Sequence, residues 1–97
     1  MGLGKKIKAI RLAENISQDE FSKIVNISVG TIRNYEQGIR EPKSEILIKI
    51  TNHERFDKYA YWLLTGKTLP ESGQVCPAFS IQEQCGIISE EKNIKRA

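Results

Sequence analysis

Val29, Gly30, Arg33, Asn34 and Gln37 share one side of a short helix if each residue advances by about 100°. Two of these side chains have directional chemistry. The Arg33 guanidinium can donate a bidentate pair of hydrogen bonds to guanine O6 and N7, and the Asn34 amide can pair with adenine N6 and N7. Val29 adds a methyl surface suited to thymine. The plainer account, in which Arg33 and Asn34 are ordinary solvated residues, depends on whether this helix stands proud of the fold. Catalytic chemistry has less to draw on. His53 is the single histidine and lies at the end of an apolar segment, where a capping or surface role suffices, and no glycine-rich phosphate loop or metal-ligand cluster accompanies it. Cys76 and Cys85 lack the paired short spacing of a zinc site and read as free thiols in a reducing compartment. No enzyme activity, metal, cofactor or small-molecule substrate is expected.

The elements that must hold this face are written in residues 17–38, SQDEFSKIVNISVGTIRNYEQG. Ser17 followed three residues later by Glu20 is a capping box, so a helix can start there with its free amides satisfied. Phe21, Ile24 and Val25 make its apolar stripe. Asn26 is one of the few non-glycine residues that tolerates the left-handed backbone of a tight corner, and Ser28 can cap the next helix. On that second helix Ile32, Tyr35 and Glu36 face inward, opposite the polar side, Thr31 lies at the boundary, and Gly38 is a C-terminal stop.

Around this pair the spacing predicts a first helix from about Leu3 to Glu14, with Leu3, Ile7, Ile10 and Arg11 on its inner side. Pro42 blocks continuation beyond the motif, and Ser44 can cap a fourth helix carrying Ile46, Leu47, Ile48 and Ile50. A fifth helix is expected over Glu54–Leu64, with a stripe of Phe56, Tyr59, Ala60, Leu63 and Leu64, while Tyr61 and Trp62 point elsewhere. A short helix apolar nearly all round needs two buried faces. The second is assigned to another copy of the chain, through Tyr61, Trp62 and Leu64. Val75, Pro77, Phe79 and Ile81 alternate as on a strand, with Pro77 restricting it to an edge. Such a strand either pairs with its mate across a dimer, through Val75, Phe79 and Ile81, or lies as an arm on the helices. The expected architecture is therefore all-α, a compact five-helix domain over 1–66, followed by a short β-strand or arm for dimerisation over 67–82 and a mobile charged tail over 83–97.

Ninety-seven residues suffice for a single core, and the net charge of +3 favours a polyanionic partner. Lys5, Lys6, Lys8 and Arg11 against Glu14 make the start of the chain basic. No apolar run approaches the ~20 residues that span a bilayer, and the basic start lacks the apolar stretch of a secretory signal, so a cytoplasmic protein without a membrane partner is expected.

The 17–38 pattern resembles the helix-turn-helix of the lambda-repressor-like DNA-binding proteins, through Gln18, Phe21, Val25, Ser28, Ile32, Glu36 and Gly38. Many members have glycine where this chain has Asn26. Residues 56–79, FDKYAYWLLTGKTLPESGQVCPAF, and the Gly30–Thr31 pair further resemble the small immunity repressors of temperate phages of the P-two group. That resemblance implies a homodimeric, sequence-specific transcriptional repressor on a double-stranded DNA operator, silencing an early lytic promoter and maintaining lysogeny. An antitoxin-like module, or an activator using Asp19 and Glu20, remains the alternative, and half-sites in direct or inverted repeat are both open.

The resemblance also distributes roles. Val29, Gly30, Thr31, Arg33 and Asn34 occupy the base-reading positions, with Gly30 allowing close approach or merely fitting a small space. Gln18, Ser28, Gln37, Arg40 and Lys43 are the phosphate candidates, with Lys5 and Lys6 behind them unless these lysines serve only solubility. Lambda-like domains commonly pair an arginine in the first helix with the glutamate near the end of the recognition helix, which implies a partly buried Arg11–Glu36 ion pair here; an exposed pair is the bland alternative.

Overall fold

Ser17 closes a complete capping box: its Oγ accepts from the Glu20 amide at 3.1 Å and its own amide donates to Glu20 Oε1 at 2.9 Å, in a computed structural model that describes residues 2–87. Helix α2 (Gln18–Val25) starts there and ends on Asn26, whose φ of 57° and ψ of 49° are left-handed. Ser28 Oγ then accepts from the Thr31 amide at 3.2 Å and opens α3 (Val29–Glu36). Both N-terminal caps are made by local side chains, so the start of each helix is set by its own sequence.

Helix α1 (Leu3–Ala13) precedes this pair, and α4 (Ser44–Asn52) follows it. Beyond α4, a 3-10 turn at Asp57–Tyr59 runs into α5 (Ala60–Thr65), and a second 3-10 turn at Pro70–Ser72 precedes α6 (Phe79–Gln84). One core serves all of them. Ile7 and Ile10 of α1, Phe21, Ile32, Ile50, Phe56 and Leu63 are each at most 1% exposed, and the Phe21 and Phe56 rings meet edge to face at 5.1 Å. Burying one such side chain stabilises the fold by roughly 1.5–3 kcal/mol, so this cluster sets how the helices sit. Helices α1 and α3 approach closely: a Cβ placed on Gly4 would lie 1.8 Å from the Tyr35 carbonyl oxygen, a space only glycine can occupy.

Glu14 ties the end of α1 to the 3-10 turn. It receives hydrogen bonds from the Tyr59 hydroxyl at 2.8 Å and from Lys58 Nζ at 3.0 Å, with Arg55 Nη2 at 3.4 Å. Burial acts to raise the Glu14 carboxyl pKa, but these donors together outweigh it and hold the group below its ordinary value. Burial, reinforced by that carboxylate, pushes the Tyr59 hydroxyl up.

Four expectations are corrected. The fifth helix begins as a 3-10 turn, and its three-residue step rephases the stripe, so Phe56, Tyr59, Trp62 and Leu63 turn inward while Leu64 is 61% exposed. Ser44 is the first residue of α4 rather than its cap; Lys43 stands at the cap position without a side-chain bond. No strand forms among the described residues, where an isolated bridge links Leu69 and Gln74, and the alternating segment ends in helix α6. A helix places Gln82 and Cys85 on one side. Gln82 is 3% exposed with its Nε2 donating to the Pro77 carbonyl at 2.7 Å, and Cys85 joins the core, an arrangement an extended segment could not provide. The residues expected to be a mobile tail therefore include Glu83 and Gln84 of α6 and the buried Cys85; residues 88–97 lie outside those described.

Candidate nucleic-acid interface

Helix α3 has two unlike sides. Inward, Ile32 is fully buried and Tyr35 is 4% exposed. Beside them Arg11 clasps Glu36 with both ends of its fork, Nε to Oε2 at 2.8 Å and Nη2 to Oε1 at 2.9 Å, and spends Nη1 on the Ile16 carbonyl at 3.0 Å. Both side chains are at least nine-tenths covered. Bidentate geometry with the remaining donor also satisfied is what makes a covered ion pair tolerable, because each charge has replaced the water it gave up.

Gln18, the first residue of α2, carries this buried charge to the surface. Its Nε2 donates to Glu36 Oε1 at 3.0 Å, and its Oε1 accepts from Arg33 Nε at 3.2 Å. Both ends of the amide are thus fixed in the only sense its chemistry allows, nitrogen toward the carboxylate and oxygen toward the guanidinium. Arg33 itself is exposed and keeps its two terminal Nη groups clear of any hydrogen bond made among the described residues. Those are the atoms a guanine edge or a phosphate would take.

Along the outer side, Gly30, Arg33 and Gln37 are exposed and Val29, Thr31 and Asn34 are half-buried. A Cβ added to Gly30 would meet nothing within 4 Å, so no neighbour in the fold requires its small size. Thr31 Oγ1 lies 2.7 Å from Ser28 Oγ and is occupied with the helix cap, in keeping with a boundary position. At the other end Gly38, at φ 78°, turns the chain, and the amides of Ile39 and Arg40 reach back to the Asn34 carbonyl at 2.9 and 3.3 Å. The loop bearing Arg40 and Lys43, both exposed, is thereby bonded to the same helix as Arg33 and Asn34. Gln18 is bonded to the outer side of α3 through Arg33, and the loop through Asn34, so the cations Arg33, Arg40 and Lys43 are carried by segments tied to that one helix.

Lys5 and Lys6 sit elsewhere. Lys6 Nζ donates to the Trp62 and Leu63 carbonyls, each at 3.3 Å, and lies 5.3 Å over the Trp62 ring, where burial lowers its pKa. Lys5 Nζ would lie 3.6 Å from a Cβ on Gly86, so both lysines border α5 and the turn after α6 rather than Gln18 or Arg33. Of the residues assigned to a dimer contact, Trp62 is 3% exposed and Ile81 packs against the core; Tyr61 is half-buried with its amide donating to Gln74 Oε1 at 2.9 Å. Leu64, Val75 and Phe79 remain open at 61, 38 and 63%. Sequence reasoning treated Gln18 only as a phosphate contact and missed its bridge from Glu36 to Arg33, a tertiary relation that no local pattern encodes.

A short capped helix set at a three-residue corner from the one before it, its outer side polar and its inner side packed on the core and locked by an ion pair, is the layout of a helix-turn-helix DNA-binding regulator. The comparisons agree. Residues 7–53 match the family described as "Helix-turn-helix". The chain is 30% identical over 78 residues to "Repressor protein C" of Escherichia phage P2, covering 80% of this chain and 79% of that protein. It is also 35% identical over 52 residues to the "HTH-type transcriptional regulator ImmR" of Bacillus subtilis (strain 168), covering 54% of this chain and 41% of that protein. The chain belongs to the lambda-repressor-like helix-turn-helix family and is a DNA-binding transcriptional regulator. No helix among the described residues is long and apolar enough to cross a membrane.

Proposed function

We propose that this protein is a phage-type immunity repressor that binds its operator as a homodimer, blocks an early lytic promoter and so maintains lysogeny. The observation that carries the reading is the chain of bonds from the buried Arg11–Glu36 pair through Gln18 to Arg33, which presents an oriented guanidinium on the outer side of α3. The likeness to a phage repressor over most of both chains supports the biological part. Val29, Gly30, Thr31, Arg33 and Asn34 read base edges in the major groove. Gln18, Ser28, Gln37, Arg40 and Lys43 contact phosphates and set orientation.

One copy reads few base pairs, so a second copy supplies specificity by placing two recognition helices on one face of the duplex, about 34 Å apart. The open apolar side chains Leu64, Leu69, Val75 and Phe79, from α5 onward, support a contact between copies there. Selection of bound sequences from random duplex DNA, run at two salt concentrations, tests the reading. A defined site should emerge, with affinity falling on a log–log salt plot by about 0.9 per phosphate contact. Changing Arg33 or Asn34 should shift the selected bases, and Lys43→Ala should weaken all sequences alike. Enrichment of no sequence at either salt would overturn it, and light scattering that finds only monomers would remove the homodimer.

A further inference from the structure

Four helices of this chain end on the same backbone device. A left-handed residue is followed by an isoleucine whose amide bonds to the carbonyl five residues back: Asn15 and Ile16 to Arg11 at 3.3 Å, Asn26 and Ile27 to Ser22 at 3.0 Å, Gly38 and Ile39 to Asn34 at 2.9 Å, Gly86 and Ile87 to Gln82 at 2.9 Å. In such a terminus the side chain after the left-handed residue ordinarily folds back onto apolar atoms of the last helical turn. Three of the four do so. Ile16 and Ile27 are 8 and 7% exposed, and Ile87 packs against the core.

Ile39 is the exception. At 65% it is the most exposed large apolar side chain among the described residues. Its local cause is visible: the positions five and six residues before it, where the apolar seat would be, are Asn34 and Arg33. Its backbone is as firmly held as in the other three, so the isoleucine is presented outward from a fixed frame. In the same stretch of chain Arg33, Arg40 and Lys43 are exposed, as are the carboxylates of Glu41 and Glu45, while Glu36 is already neutralised by Arg11. An exposed apolar tip whose backbone is bonded to the end of α3 at Asn34 fits a partner of that helix offering a small apolar group at a fixed place, and the thymine C5-methyl is that group in the major groove of DNA.

We infer that Ile39 packs against a thymine C5-methyl and is a further specificity-determining residue of the recognition surface. This rests on the DNA-reading function proposed above. The methyl projects beside the sugar–phosphate strand, and Ile39 occupies the corresponding place between the base-reading candidate Asn34 and the phosphate candidates Arg40 and Lys43.

The test uses the full chain and the duplex obtained by selection with it, in which each thymine in turn is replaced by uracil so that one methyl is removed at a time. At one thymine per half-site the unaltered protein should lose roughly fourfold in affinity, the scale of one buried methyl. Ile39→Ala should bind the thymine duplex more weakly, show no further loss with uracil at that position, and no longer select thymine there. Ile39→Val should keep part of the coupling. Thermal unfolding of Ile39→Ala should match the unaltered chain, whereas Ile16→Ala, made at the buried equivalent, should be clearly destabilised.

Equal uracil effects in the unaltered chain and Ile39→Ala would overturn the inference while leaving DNA reading intact. So would a uniform weakening by Ile39→Ala with no base preference lost, which marks a sugar contact, or a change in oligomeric state with DNA affinity untouched, which marks a contact between copies. Failure of the unaltered chain to select any duplex would instead sink the function on which the inference stands.

Discussion

Gly4 lies in α1 against α3 and Gly30 within α3 itself, and the two helical glycines answer to opposite constraints. Gly4 is jammed: any Cβ would collide with the Tyr35 carbonyl, because α1 and α3 touch backbone to backbone there. Gly30 faces open space. A glycine inside a helix is destabilising by roughly 0.5–1 kcal/mol relative to alanine, so each needs an account. Packing supplies one for Gly4 and none for Gly30. The same division runs through the whole helix, since Ile32, Tyr35 and Glu36 are held by contacts within the fold, while Arg33, Gln37 and Ile39 satisfy little that folding requires. Residues on the inner side can be judged by stability; those on the outer side must be judged by what they meet outside the protein.

The largest effect expected from this contrast lies at the inner side's charge. Glu36→Ala leaves Arg11 covered and without its carboxylate, and should lower the unfolding free energy by about 3–5 kcal/mol. Urea denaturation measures it. Replacing both partners by apolar residues of similar size, Arg11→Met with Glu36→Leu, should recover most of that loss, because no charge is then stranded. DNA binding by the double variant should nevertheless stay impaired, since Gln18 loses the acceptor that orients it toward Arg33. A double variant with restored stability and undiminished affinity would show the Gln18 bridge to be incidental.

Next in size is Gly4→Ala. Overpacking ordinarily costs about 1–3 kcal/mol, and here the obstructing atom is backbone, which cannot swing aside. A reduced denaturation midpoint is expected. Because α3 must shift to admit the methyl, Gly4→Ala should also weaken DNA binding without altering which bases are preferred. An unchanged midpoint would show that the α1–α3 approach is looser than its geometry states.

What could be read from the sequence follows the range of the interactions. Ser17, Glu20, Asn26, Ser28 and Gly38 act within five residues of themselves, and each is found doing what its type and position imply. The inward side of α3 was readable because eight residues of steady periodicity suffice to separate two faces. The C-terminal third was not. Its expected strand rested on seven residues of alternation, a window in which a helix such as Phe79–Gln84 cannot be distinguished, and the deciding groups, Gln82 and Cys85, lie beyond it. The inward turn of Trp62 depends on a 3-10 turn that changes the phase of the pattern, and the tethering of Lys6 away from any phosphate leaves no local trace, because its bonds run to carbonyls 56 and 57 residues away. Ile39 escaped notice for the opposite reason: an isoleucine after a glycine stop ordinarily folds inward, as Ile87 does.

Gly30→Ala gives the smallest change in stability and the sharpest separation of the two sides. With no neighbour within 4 Å of the new Cβ and a backbone already helical, alanine should raise the unfolding free energy by roughly 0.5–1 kcal/mol. If the glycine is kept because the helix backbone lies against the floor of the major groove, the added methyl must collide with a base edge or hold the helix away. Operator affinity should then fall while the protein becomes more stable, the reverse of what Gly4→Ala does to stability. Parallel urea denaturation and titration with the selected duplex decide it. A more stable variant that binds as well as the unaltered chain would mean that position 30 does not approach DNA, and close approach of the helix would then have to be assigned to Val29 or Thr31.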